Sequence, residues 1–153
     1  MKAISLHQPW ASLMVTRWPE GRFCKRFETR SFRTLYRGPI AICATKTFPQ
    51  VLYGLIQKEP FASALKHWEC SSDIPVGCVL GIGQLAHCER VEEACLRPSV
   101  TFTERHFGDY SPGRWAWLID DMRPLPEPIP VKGKQGLWDW PEGEAVLKGL
   151  ANV

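Results

Sequence analysis

Ile40-Ala41-Ile42-Cys43-Ala44 is an unbroken apolar run too short for a helix of ordinary length, and it offers no polar residue to water on either side. Such a run reads as a strand covered on both faces. The other strand-like stretches are short: Ala3 to Leu6, Phe27 to Phe32, Cys78 to Ala86 and Arg114 to Ile119. Few helical stretches separate them, which argues against a doubly wound parallel sheet and for an α+β fold with a mostly antiparallel sheet. At 153 residues, the chain reads as one domain over 1–153 with enough length for a real core.

Local signals fill the gaps. Pro9 suits the first turn of a helix, because it has no amide hydrogen to leave unpaired. A helix from Trp10 to Arg17 follows, stopped by Trp18-Pro19-Glu20-Gly21. Thr47 is placed to cap a helix running to Lys58, and Phe61, Ala64, Leu65 and Trp68 keep helical spacing after Pro60. Gly81 and Gly83 interrupt the Cys78 to Ala86 run and mark a bulge or a close approach of something to the backbone. Glu89 to Ala94 reads as a helical turn. Pro124, Pro126, Pro128 and Pro130 alternate, which favours an extended segment lying over the body of the domain. Glu144 to Lys148 suggests a terminal helix.

Charge is unevenly spread. Arg17, Arg22, Lys25, Arg26, Arg30, Arg33, Arg37 and Lys46 face only Glu20 and Glu28 across that stretch, although the whole chain carries a net charge of just +3. A patch of this kind suits phosphate, because neutralising phosphates releases counterions and supplies much of the affinity for nucleic acid. A solvated basic loop would produce the same count. At the centre of the patch stands Lys25-x-x-Glu28-x-Arg30. If Phe27 to Phe32 is extended, Glu28 and Arg30 project from one face, and Lys25 can curl back onto it. The trio is either a structural ion pair or a reader of a polar ligand.

The order of segments around this trio resembles the ASCH domain, a branch of the PUA-like superfamily. The likeness runs through Leu6-His7-Gln8-Pro9-Trp10, Lys25-x-x-Glu28-x-Arg30-Ser31, Tyr36-Arg37-Gly38-Pro39-Ile40, Pro75-Val76-Gly77, Phe107-Gly108-Asp109-Tyr110-Ser111-Pro112-Gly113-Arg114-Trp115 and Pro128-Ile129-Pro130-Val131-Lys132-Gly133-Lys134-Gln135-Gly136. One departure stands out. The family pattern has Gly two residues before the Lys, where this chain has Phe23. The resemblance implies a PUA-like β-barrel with peripheral helices and a cleft suited to single-stranded RNA or a modified nucleoside. Family members have been assigned RNA binding, coactivator roles, ribonuclease activity and hydrolysis of an acetylated cytidine. Fold alone does not select among these.

On that footing the expected ligand-binding residues are Gln8, Trp10, Lys25, Glu28, Arg30, Lys46, Lys132 and Lys134. Trp10 would stack on a base, Lys25 and Arg30 would hold phosphate or base acceptors, and Lys132 and Lys134 would join Lys46 on the rim. The alternative is a metal-independent ribonuclease with Lys25, Glu28 and Lys46 as catalytic groups, Glu28 or His7 removing the 2′-hydroxyl proton. Amide hydrolysis is disfavoured. The hydrolysing relatives carry a threonine nucleophile where this chain has Glu28, and a carboxylate does not replace a hydroxyl as acyl acceptor. A protein-interaction module using Pro124 to Pro130 is a third reading.

No cofactor or metal is expected. The six cysteines (Cys24, Cys43, Cys70, Cys78, Cys88 and Cys95) include no Cys-x-x-Cys, and His67-x-x-Cys70 and His87-Cys88 have no second half at zinc spacing. Free thiols, with no signal-like N-terminus and no apolar run near the ~20 residues of a membrane helix, point to a cytoplasmic protein without membrane contact.

Overall fold

The structure, a computed structural model, describes residues 1–68 and 70–152. Six strands make one sheet: β1 (Lys2–Leu6), β2 (Phe27–Arg30), β3 (Gly38–Ala44), β4 (Cys78–Arg90), β5 (Trp115–Pro130) and β6 (Leu137–Asp139), in the spatial order β2-β5-β4-β3-β1-β6. Only β1 and β3 run parallel; every other neighbouring pair is antiparallel. The sheet curls into a half-barrel with short helices around it. This is the α+β architecture with a mostly antiparallel sheet expected from the strand pattern, and its curl matches the PUA-like barrel that the resemblance implies.

The apolar run explains the centre. β3 lies between β1 and β4, and Ile40, Ala41, Ile42, Cys43 and Ala44 are all at most 1% exposed. Ile40, Ile42 and Ala44 point into a core with Met14 and Trp117, while Ala41 and Cys43 pack the other face with Trp138 and Trp140. Alternate residues serve alternate faces.

β4 and β5 are longer than their apolar cores indicate, because each supplies the other's hydrogen-bonding edge over its whole length. Register shifts fall between Val79 and Gly81, Ile82 and Gln84, and Leu85 and His87, and these bulges supply the curl. Gly83 sits at the tightest point, where a Cβ would come within 2.5 Å of Ile119 Cγ2 and 3.1 Å of the Asp120 carbonyl. Bulge and close approach therefore both occur here.

The proline segment differs from expectation. Pro124 to Pro130 does not lie over the body of the domain; it is the second half of β5 and pairs with β4 from Gly81↔Pro124 to Cys78↔Pro130. The register shifts between Pro124 and Ile129, where Pro126 and Pro128 lie, and β2, which pairs only with Trp115 to Leu118, no longer covers the outer edge of the segment; bulges and open edges are where a strand tolerates proline.

Helix boundaries also move. The first helix, α1 (Trp10–Val15), stops before Arg17, which instead bridges to Phe23 across the Trp18–Arg22 turn. The α-helix expected from Thr47 to Lys58 does not form. Residues Gln50–Gln57 form a 3₁₀ helix after Pro49, in a segment where Val51, Tyr53 and Gly54 all weaken α propensity. Two short helices, α2 (Phe61–Ala64) and α3 (Val91–Ala94), match the apolar spacing after Pro60 and the turn after Glu89. An unforeseen helix, α4 (Phe102–His106), is capped by the Thr101 hydroxyl, which accepts from the Glu104 amide at 3.1 Å. The last helix, α5 (Gly143–Ala151), packs Val146, Leu147 and Leu150 against the core of Trp138 and Trp140. Among the described residues, no helix is long and apolar enough to cross a membrane.

Candidate functional site

The motif acquires its geometry from β2. Glu28 and Arg30 pair with Trp117 and Trp115 of β5 and lean out on one side, as alternation requires, while Thr29 between them is buried. Thr29 is not idle. Its hydroxyl accepts from the Asp109 amide at 2.9 Å, and its carbonyl accepts from Arg114 Nη2 at 3.2 Å, so the Gly108–Arg114 loop is pinned along β2. A Cβ on Gly108 would approach the Thr29 side chain to 3.1 Å, so a larger residue would push the loop away.

Lys25 lies behind this wall, 1% exposed. Its ammonium donates to the carbonyls of Phe27 and Phe107, the latter at 2.7 Å, and stands 3.3 Å from Glu28 Oε2. Glu104, also buried, accepts from the backbone amides of Arg26 at 3.1 Å and Phe27 at 3.0 Å. Burial raises the Glu104 pKa above the usual carboxylate range, opposed by Lys25 and by the two amides. Together Lys25 and Glu104 fix the chain just before and at the start of β2 to the loop and helix across from it.

Arg30 spans the open side of the half-barrel. Its Nη2 donates to the Ser5 carbonyl of β1 at 2.7 Å, joining strands that stand first and fifth in the sheet order. Its Nε lies 3.4 Å from Glu28 Oε1, close enough for charge attraction but without hydrogen-bond alignment. Glu28 is thus held between two cations, one on each carboxylate oxygen. Ser5 in turn donates its hydroxyl to the Lys134 carbonyl at 2.9 Å and accepts from Trp138 Nε1 at 3.2 Å. The Lys132–Gly136 turn is therefore drawn over the end of β1, where a Cβ on Gly133 would meet Ser5 Oγ at 2.8 Å.

These ties enclose a hollow of about 1670 Å³. Glu28, Arg30, Trp10, Lys46, Lys132 and Lys134 all line it, as do His7, Phe32, Asp109 and Arg114. Small-molecule pockets run to about 300–1,000 Å³, so this one has room for more than a single small ligand. Lys46, Lys132 and Lys134 are exposed on its rim, Trp10 is half-buried on its wall, and His7 Nδ1 is 3.1 Å from Thr45 Oγ1.

Two expected residues lie elsewhere. Gln8 is fully buried, its amide donating to the Pro75 carbonyl at 2.6 Å and its carbonyl oxygen accepting from the Ser12 amide at 3.0 Å. Lys25 does not line the hollow at all. Gln8 ties α1 to the Pro75–Gly77 turn, and Lys25 acts behind the wall on Glu28. The trio Lys25, Glu28 and Lys46 consequently does not meet in one solvent-reached space. Asp109 and Arg114, 3.4 Å apart, were given no part by the sequence, although both fall in a segment that carries the family likeness. The Ser111 hydroxyl and amide, with Arg114, hold the Asp109 carboxyl below its ordinary value. Among the described residues, no three metal-ligating side chains converge.

Crystal structures of an ASCH protein from Zymomonas mobilis, unmutated and as a point mutant, are similar to this chain at TM-scores of 0.56 and 0.55. The alignments cover 97% of this chain and 94% and 96% of theirs, at 20% and 21% identity. The chain has the ASCH fold. In sequence, mouse and human proteins named Activating signal cointegrator 1 are 29% identical to it over an alignment 145 positions long that covers 88% of the chain. The chain spans about a fifth of the length of those relatives, 21%. No family model matches it. The ASCH likeness read from the motif order thus has a structural counterpart, and the hollow lies where most of the segments carrying that likeness come together.

Proposed function

We propose that this ASCH-type domain binds single-stranded RNA, or a modified nucleoside within it, in the hollow between β2, the end of β1 and the Lys132–Gly136 turn. The observation that carries the reading is the convergence of Arg30, Lys46, Lys132 and Lys134, from three segments of the chain, on one cavity that also holds Trp10 and the clamped carboxylate of Glu28. Lysines on the rim suit phosphates, which they meet as point charges. Glu28 is fixed in place to accept from a base amine, and Trp10 offers an aromatic surface for stacking, worth ~1–3 kcal/mol per base. Lys25 serves by positioning Glu28.

Titration of labelled single-stranded RNA across salt concentrations tests this. Each phosphate neutralised adds about 0.7 to the slope of log affinity against log salt. The combined change Lys46→Ala, Lys132→Ala and Lys134→Ala is expected to flatten the slope by up to about three such increments. Absence of any salt-sensitive binding by the unaltered protein would reject the reading. Keeping chelator present and recovering the RNA afterwards checks the cleaving alternative; intact RNA is expected, because Lys25 is walled off from the space that Glu28 and Lys46 share.

A further inference from the structure

The hollow does not end the basic surface. Arg30, Trp115 and Arg90 stand in one cross-strand row, Arg30 opposite Trp115 and Trp115 opposite Arg90. Directly opposed residues share a sheet face, so the row leads outward from the hollow on the face that Arg30 occupies. Two strand spacings of ~4.8 Å separate its ends. Arg30 lines the hollow, whereas Trp115 and Arg90 lie beyond it. Phe32 bridges the two regions. It lines the hollow, is 41% exposed, and meets Trp117 edge-on with centroids 5.4 Å apart.

Past Phe32 the chain brings Arg33 onto the same indole as Arg90. The guanidinium carbons lie 5.6 Å and 4.5 Å from the Trp115 ring centroid. Both arginines are exposed, and among the described residues neither has a carboxylate within ion-pair distance. Arg90 also donates to the Gly113 carbonyl at 3.0 Å, while nearby Glu92 is turned to the Gly113 amide at 2.8 Å. Two guanidiniums on one ring, neither in an ion pair among the described residues, are both open to a phosphate. The ring restrains guanidiniums that would otherwise lose freedom on binding, so less entropy is lost when the anion arrives.

We propose that single-stranded RNA leaving the hollow passes over Phe32 and is held by its phosphates on Arg33 and Arg90. This extension rests on the binding function proposed above and adds a length requirement to it. A short strand fills the hollow alone, and a longer one also occupies the arginine pair.

Uridine oligomers of increasing length, titrated across salt, separate the two regions. For the unaltered protein, affinity and salt slope are expected to rise with length. In Arg33→Ala with Arg90→Ala, short oligomers should bind as before, while long ones lose about 1.4 in slope, the share of two phosphates. Arg33→Ala alone should lose half of that, which keeps the test open if the double variant folds poorly. Long oligomers binding the arginine variants with unchanged affinity and slope would overturn the extension and leave the hollow standing. Length dependence that survives Lys46→Ala, Lys132→Ala and Lys134→Ala but vanishes without the arginines would uphold the extension, whereas short oligomers that bind the lysine variant with unchanged slope would count against the hollow. Failure of every oligomer to bind the unaltered protein would overturn both.

Discussion

Lys25 is the residue on which the site's geometry depends most. Its ammonium is buried against two carbonyls and a carboxylate, so its removal takes this donor from the Phe27 and Phe107 carbonyls and leaves Glu28 with Arg30 alone. Breaking a buried charged pair from one side typically costs about 3–5 kcal/mol. Lys25→Ala is expected to lose stability of that order in chemical denaturation. The spacing Lys-x-x-Glu-x-Arg correctly brought Lys25 to Glu28, but it could not tell a ligand-facing ammonium from one enclosed by Phe107, a residue far along the chain.

Glu104 carries the clearest pH signature. Its folded pKa is raised by burial, so the folded state holds its proton more tightly than the unfolded chain does. The stability contributed in this way is fully present below the ordinary carboxylate value, about 4.3, and is lost as pH rises through the folded value. The stability of the unaltered protein relative to Glu104→Gln is therefore expected to decline as pH is raised from that point. A flat difference across the acid range would show that burial does not govern this group. Nothing in the local sequence marks Glu104, since its partners Arg26 and Phe27 lie far away in the sequence, just before and at the start of β2.

At the scale of elements, the curl of the sheet resides in β4 and β5. Gly83 lets β4 pass against Ile119 and the Asp120 carbonyl, and a methyl group there has no room. Gly83→Ala is expected to cost about 1–3 kcal/mol through overpacking, measured as a lowered denaturation midpoint. Strand identity was legible here because apolar runs and glycines report locally. Strand length was not, since Cys88 to Arg90 are strand only because Trp115 to Trp117 lie beside them, and Asp120 to Pro130 only because Cys78 to Gln84 do. The prolines of β5 show the limit most clearly. Their alternation indicated extended backbone, and only the neighbouring strand decided that the segment belongs in the sheet.

For the whole molecule, the hollow is closed by ties between segments remote in sequence: Arg30 to Ser5, Ser5 to Lys134, Thr29 to Asp109. A ligand that occupies it binds only the folded chain. Single-stranded RNA at a hundred times its dissociation constant is then expected to stabilise the protein by about 2.7 kcal/mol, seen as a raised melting temperature that shrinks with added salt. With Lys46, Lys132 and Lys134 replaced by alanine, the shift should disappear while the melting temperature without RNA stays nearly unchanged, because all three lysines are exposed.

The sequence by itself determined that β3 is buried on both faces, that the sheet is mostly antiparallel, and that Glu28 and Arg30 share a strand face. Each follows from periodicity over a few residues. Tertiary structure decided which cations reach solvent: Lys46, Lys132 and Lys134 stay on the rim, Arg30 crosses to Ser5, and Lys25 is shut away beneath Phe107. Exposure depends on what packs from elsewhere in the chain, and the curl of a sheet joins residues that no local pattern relates.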